Sequence, residues 1–266
     1  MLTFDKEYFN LGYLDTLSYK DTFIHRRDPR IKVIVTFAFI LSVVSFPKYE
    51  VSGLAPLFLF PVLLFSLGDI PVRFIMKKVV MVSPFALFVG IFNPFLDTRT
   101  LYTVYGFAVS GGWVSFLSIV IKFILTVSAG LLLIATTSFP GVCYALQRLK
   151  VPDIFISQLL FLYRYLFVLL DETMKIVRAR DMRSFGKRGQ GIRVFSHIIG
   201  VLFIRTVEKS ERIYQAMLSR GYEGQIGMIK KYTISAEDII FALSMLATFY
   251  LFRRYNVTVL LGNLVA

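Results

Sequence analysis

Apolar residues run in long blocks along this chain, broken by short polar stretches, and the lengths of those blocks set its organisation. A bilayer core of about 30 Å needs roughly 20 consecutive apolar residues, or about 17 at the short end. Five blocks approach that length: residues 31–46, 51–67, 79–96 and 113–138 form an N-terminal group, and 239–252 stands alone near the C-terminus. The last is short, but Arg253 and Arg254 are placed to snorkel, and the apolar run 257–266 to extend it. The pattern predicts an all-α integral membrane protein with about five transmembrane helices.

Two further apolar runs lead directly into charge. Residues 154–170 have the length of a sixth span, yet a crossing there would place Arg164 near the bilayer centre, costing about 2.5–3.5 kcal/mol on insertion scales. It would also carry the basic segment that follows to the outside. The sequence is better met by one long membrane-proximal helix, apolar at first and charged from Asp171 to Arg183. A second such helix is expected over 194–219, with Val207, Tyr214, Met217 and Leu218 continuing its apolar stripe. Between them Gly186, Gly189 and Gly191 mark a hinge, so the two helices should meet as a hairpin or cross. Gly221 is suited to the left-handed conformation that ends a helix, which leaves Arg220 on the final turn. Arg183 holds the corresponding place in the first long helix.

Composition agrees with the block pattern. Hydrophobic residues make up 56% of the 266 and mean hydropathy is +0.67, outside the range of soluble, disordered, collagenous or coiled-coil chains. The formal charge of +13 is concentrated: from Arg164 to Lys231 there are 14 Lys+Arg against six acids. Arg26, Arg27, Arg30 and Lys32 precede the first span, and Arg73, Lys77 and Lys78 lie between the second and third, whereas the opposite loops carry only Lys48 and Arg99. By the bias of cations toward the cytoplasm, the N-terminus is expected inside and the C-terminus outside. The expected divisions are 1–138, a cytoplasmic segment and four-helix membrane region; 139–235, a cytoplasmic region with the two long helices; and 236–266, a last transmembrane helix and tail. No basic region followed by an apolar run opens the chain, so a cleavable signal peptide is not expected.

Little in the sequence points to catalysis. There is no Gly-x-x-x-x-Gly-Lys-Ser/Thr phosphate loop, no Gly-x-Ser-x-Gly and no His-Glu-x-x-His. His25 and His197 lie in different segments with no third ligand nearby, and Cys143, the lone cysteine, cannot form an internal disulfide. His197 is read as a packed or interfacial residue and Cys143 as a packing residue. Asp28 before Pro29 is read as the cap of the first span. Within the first four spans the ordinary charges are Lys32, near one end, and Lys122, which would repel a divalent cation. Metal selection is therefore assigned to a partner. Ser128, Ala129, Gly130, Ala135, Thr136 and Thr137 offer a close packing face, either to such a partner or inside this chain.

Two readings stand for Arg183 and Arg220. A cation in the last helical turn complements the macrodipole, worth about 0.3–1 kcal/mol, and a polybasic stretch draws anionic headgroups at about 1 kcal/mol per cation. Alternatively each arginine is a docking pin. Its planar guanidinium makes bidentate bonds to a carboxylate that lysine cannot reproduce. The residues Asp28-Pro29-Arg30-Ile31-Lys32, Tyr163-Arg164-Tyr165-Leu166-Phe167-Val168-Leu169-Leu170-Asp171-Glu172, Arg178-Ala179-Arg180-Asp181-Met182-Arg183-Ser184 and Met217-Leu218-Ser219-Arg220-Gly221-Tyr222 together resemble the transmembrane T component of energy-coupling-factor (ECF) transporters, most closely the CbiQ type of cobalt and nickel importers.

That resemblance covers roughly residues 10–255 and implies an inner-membrane, multi-pass, non-catalytic subunit of a prokaryotic ABC importer. Its implied partners are two ABC-type ATPases (CbiO-like), which hold ATP and Mg, a substrate-binding membrane component (CbiM-like) and a small accessory membrane subunit, in a lipid bilayer and without nucleic acid. The chain itself would hold no cofactor. In the family two coupling helices each end in an Ala-Arg-Gly-like motif whose arginine docks into an ATPase groove. By position these are Arg183, flanked by Ser184, and Arg220, flanked by Ser219 and Gly221, with Arg180 a rival for the first place. Two other readings remain: a T component serving vitamin-binding partners, and an integral-membrane enzyme or lipid-binding protein using the basic region for headgroups.

Overall fold

A computed structural model describes residues 13, 15–96, 100–104, 107–184, 191–224 and 232–255. It is built almost entirely of helices: α1 (Pro29–Val44), a 3-10 helix (Ser52–Phe58), α2 (Leu59–Gly68), α3 (Val72–Gly90), the short α4 (Asn93–Leu96), α5 (Gly111–Thr136), α6 (Phe139–Arg148), α7 (Asp153–Ser184), α8 (Ile192–Leu218) and α9 (Ala236–Arg254). Before α5, β1 (Thr100–Val104) and β2 (Phe107–Ser110) pair antiparallel, Thr103 opposite Ala108, a small departure from the expected all-α architecture. Two compact units result. One joins Asp15–Ser138 to the chain from Tyr232 onward, and the other takes in the chain between Phe139 and Lys231.

In the first unit α5 is the central element, packed by α1, α2, α3 and α4. Its 26 residues extend about 39 Å. Among the described residues, two helices are long and apolar enough to cross a membrane, Gly111–Thr136 and Asp153–Arg183. The other apolar blocks are also helical but are shorter or interrupted. The block 51–67 divides into a 3-10 helix and the 10-residue α2, because Pro56 and Pro61 each remove a backbone donor. The helix over 79–96 begins earlier, at Val72 after Pro71. Arg73, Lys77 and Lys78 continue it toward water, where a hydrophobic window stops counting. Its last residue, Gly90, permits close approach to α5, since a Cβ there would lie 2.9 Å from the Phe116 ring.

α1 starts as its sequence predicts. Asp28 caps it, accepting from the Arg30 amide at 2.8 Å, and Pro29 opens the first turn. α1 and α5 run antiparallel: the Lys32 ammonium donates to the Thr136 carbonyl at 2.8 Å, and at the other end Lys122 donates to the Phe46 carbonyl at 2.5 Å. α1 and α9 run parallel. The α9 start meets Arg27, and Arg253 near its end donates to Ser45 Oγ and O, both at 3.2 Å. Phe39, Phe60 and Phe249, with ring centroids 4.4–5.4 Å apart, lock α1, α2 and α9 together in the core. Of the small residues on α5, Ser128, Ala129, Ala135 and Thr136 are buried by this packing, as is Thr137 just beyond it. That face therefore serves the chain's own interior, while nothing lies within 4 Å of a Cβ built on Gly130.

Candidate functional site: the ends of two basic helices

α7 is a single helix of 32 residues, without glycine or proline in its interior. It starts after Pro152, and Asp153 in its first turn accepts from Gln147 of α6 at 2.9 Å. A run of rings fixes its early turns: Tyr163 stacks on Phe139 of α6 at 4.6 Å and meets Phe167 edge-on at 5.3 Å. The charged second half begins with an Asp171–Lys175 pair one turn apart, at 2.8 Å. α8, 27 residues long, follows Gly191 as its N-cap. The rest of the glycine hinge, 186–190, lies outside the described residues, as do Lys230, Lys231 and the tail 257–266.

α7 and α8 pack antiparallel. Phe161 and Tyr222 approach at 5.9 Å, and further along Arg205 donates to Glu172 at 3.0 Å. Val168, Leu169, Thr206 and Ile213 line the groove between them. Of the two expected arrangements, a hairpin or a crossing, the structure has the hairpin, and each partner presents an arginine at its end. α8 stops in a Schellman arrangement: Tyr222 N–H donates to the Met217 carbonyl at 3.1 Å and Gly221 N–H to that of Leu218 at 3.0 Å, with Gly221 at φ +79°. A Cβ at that φ is strained, which explains the glycine. Ser219 turns its hydroxyl back onto the Gln215 carbonyl at 3.0 Å, so it closes the helix and leaves Arg220 projecting, exposed. Arg183 is likewise exposed in the last turn of α7, with Ser184 the last helical residue. Neither arginine has an ion pair among the described residues. Arg180 differs, being half-buried and paired through Nε with Asp181 at 2.9 Å.

The remaining candidates have structural places. His25 receives the Thr22 hydroxyl at Nδ1 (2.7 Å) and faces the Ala135 carbonyl with Nε2 (3.3 Å), so Nε2 carries the proton. Burial lowers its pKa from the ordinary value, in keeping with a neutral ring. Cys143 is buried in α6, and burial pushes its thiol up to about 11. His197 is exposed on α8, beside Val194, Val201 and Ile204, so it is not packed within the described structure. Among the described residues no three His, Cys, Asp or Glu side chains gather where they could hold a metal.

Sequence reasoning missed one polar cluster. Arg27, 6% exposed, donates to Glu237 at 2.7 Å and lies 3.4 Å from Asp238, while its guanidinium covers the Phe23 ring at 4.0 Å. The available signal was Ser235-x-x-Asp238, a capping box in which Asp238 Oδ2 accepts from the Ser235 amide at 3.0 Å. It sets the start of α9 at Ala236, ahead of the apolar block.

Against known proteins, the profile of the family CbiQ, "Cobalt transport protein", matches residues 20–231. An energy-coupling factor transporter transmembrane protein EcfT of Streptococcus thermophilus is 30% identical over 229 residues, 79% of this chain and 84% of that protein. EcfT of Ruminiclostridium cellulolyticum is 28% identical over 221 residues, 78% and 82% of the respective chains. A Methanocorpusculum labreanum protein named as a fused cobalt transport protein CbiMQ is 34% identical over 115 residues, 43% of this chain and 18% of that protein.

Proposed function

The chain belongs to the CbiQ family of ECF-transporter transmembrane components, and on that premise we propose that it is the energy-coupling scaffold of an ABC-type cobalt or nickel importer. In this reading α7 and α8 are the coupling helices, and Arg183 and Arg220 dock on two CbiO-like ATPases that carry ATP and Mg. Closure of the ATPases on ATP moves the helices against each other, and the motion passes to a CbiM-like substrate-binding component. The observation that carries the proposal is the antiparallel helix pair whose two ends each present an exposed arginine without an ion pair among the described residues. The fused CbiMQ relative supports the CbiM-like partner, and the family description supports cobalt. The relatives matched over most of their length carry the general EcfT name, which names no cargo and leaves open a second reading with the same scaffold and a vitamin as cargo. Genes beside this one separate the two readings.

Helix direction supports the membrane arrangement. α1 and α9 run parallel, so the chain between them crosses the bilayer an odd number of times. Three crossings, by the 3-10 helix with α2, by α3 and by α5, satisfy this. A lone crossing by α7 would not, and α7 followed by α8 would have to bury both halves of a strongly basic hairpin. With the cation-rich loops inside, the N-terminus and the α7–α8 pair are cytoplasmic and the C-terminus external. A cysteine at Ser210 on α8 is accordingly expected to resist an impermeant thiol reagent in intact cells and to react in opened ones. Buried Cys143 gives no background. Reaction in intact cells refutes the orientation.

The scaffold reading also fixes what the isolated chain does. Lacking a phosphate loop, it is expected to hydrolyse no ATP, and calorimetry with cobalt(II) should show no tight stoichiometric site. Expressed with its ATPases it is expected to co-purify with them and with their activity. A tight metal site on the chain alone, or failure to retain the ATPases, overturns the proposal.

A further inference from the structure

The chain leaves the membrane-helix unit after Ser138 and re-joins it at Tyr232. One short segment, His25–Lys32, holds the structure beside both places. At the first, His25 Nε2–H donates to the Ala135 carbonyl at 3.3 Å and Lys32 Nζ to that of Thr136 at 2.8 Å, occupying two carbonyls of the last turn of α5. At the second, Arg30 Nη2 donates to the Tyr232 carbonyl at 3.0 Å, and Arg27 meets Glu237 and Asp238 in the first turn of α9. Arg27, Lys32 and Asp238 are each at most 6% exposed. Capping α1 needs only Asp28, which Arg30 supports through Nε, so starting the helix does not explain the bonds these four side chains make to α5, Tyr232 and α9.

Helix ends are where chains yield: the terminal carbonyls and amides have no intrahelical partner, and unsecured ends fray. A pull on the α6–α8 unit acts on the last turn of α5 and the first turn of α9. We infer that His25, Arg27, Arg30 and Lys32 are positioning residues that clamp these two junctions to α1, so that movement of the α6–α8 unit reaches the membrane helices instead of dissipating as fraying. The inference rests on the scaffold reading and deepens it.

The test is hydrogen exchange on the complete complex with its ATPases in lipid nanodiscs, comparing ADP with ATP. In the wild type, amides around 133–138 and 236–240 are expected to keep the same protection in both states. In Arg27→Ala and Arg30→Ala exchange at 236–240, and in Lys32→Ala exchange at 133–138, should rise about ten- to a hundredfold in ATP relative to ADP, as expected for losing a hydrogen bond to a charged group. Glu237→Gln changes an exposed side chain, leaves folding intact, and should show the same ATP-dependent rise at about tenfold. Arg27→Lys, which keeps the charge, should recover part of the protection. A rise equal in both nucleotide states marks these side chains as static packing and overturns the inference, as does no rise. Loss of the ATPases from the wild-type complex would remove the scaffold reading together with the inference, whereas a nucleotide-independent rise with ATPases bound removes the inference alone.

Discussion

Arg220→Glu is expected to strip the partner ATPases from the complex while leaving the chain in the membrane. Arg220 sits just past α8, held outward by the Gly221 turn, so no internal contact is lost. At an interface, removing one partner of a buried, hydrogen-bonded charge pair costs about 2–5 kcal/mol, roughly 30- to several-thousand-fold in affinity. A cation that merely touches headgroups contributes about 1 kcal/mol. Arg220→Ala should weaken retention less than Arg220→Glu, and Arg220→Lys should restore little, because a point charge cannot reproduce the planar fork. Arg183→Ala is expected to act in the same direction, and Arg180, already committed to Asp181, to matter less. The control is Arg212→Ala, which removes the same charge from the same exposed helix, where among the described residues the side chain bonds only the helix's own backbone at Glu208. If Arg220→Ala and Arg212→Ala retain the ATPases equally in a pull-down, Arg220 is a helix cap and the docking proposal fails.

Asp28→Ala is expected to give the largest loss of stability in the membrane unit. Asp28 is 2% exposed, caps α1 through the Arg30 amide and accepts from Arg30 Nε at 3.2 Å. Losing the cap costs about 1–2 kcal/mol and losing the charged hydrogen bond a similar amount, together about 2–4 kcal/mol. For a chain of this size that lowers the melting temperature by about 5–10 °C, readable on the purified protein in detergent. Asp28→Asn keeps the cap acceptor and should recover about half. An unchanged melting temperature in Asp28→Ala would show that Pro29 and the packing of α1 suffice to start the helix.

The helical class, the long α7 and α8 and the Gly221 stop were legible because each rests on local chemistry: block length, glycine placement and a cap; whether α7 and α8 form a hairpin or cross was not. The proline breaks in the block 51–67 were also written locally, at Pro56 and Pro61, but hydropathy averages over them. What stayed hidden is what distance in sequence hides. Lys122 reads as a lone intramembrane charge until folding places it on the end of α1, 76 residues earlier. Arg26, Arg27, Arg30 and Lys32 read as one cytoplasmic cation cluster, yet Arg26 pairs locally with Asp21, whereas Arg27 and Lys32 are buried against α9 and α5. Hydropathy and charge bias see the sign of such residues and not their partners. At the helix ends the sequence leaves Arg180 and Arg183 as rivals; Arg180 pairs with Asp181, whereas Arg183 has no ion pair among the described residues.

The pairing of Arg27 with Asp238, 211 residues apart, also sets a timetable. At about 5–20 residues per second, synthesis delivers α9 roughly 10–40 s after α1 has emerged. Through that interval Arg27 has no carboxylate from α9. The body formed by α1, α2 and α9 closes only when the last helix arrives. A chain arrested before residue 236 therefore lacks the α9 carboxylates that Arg27 meets at the foot of α1.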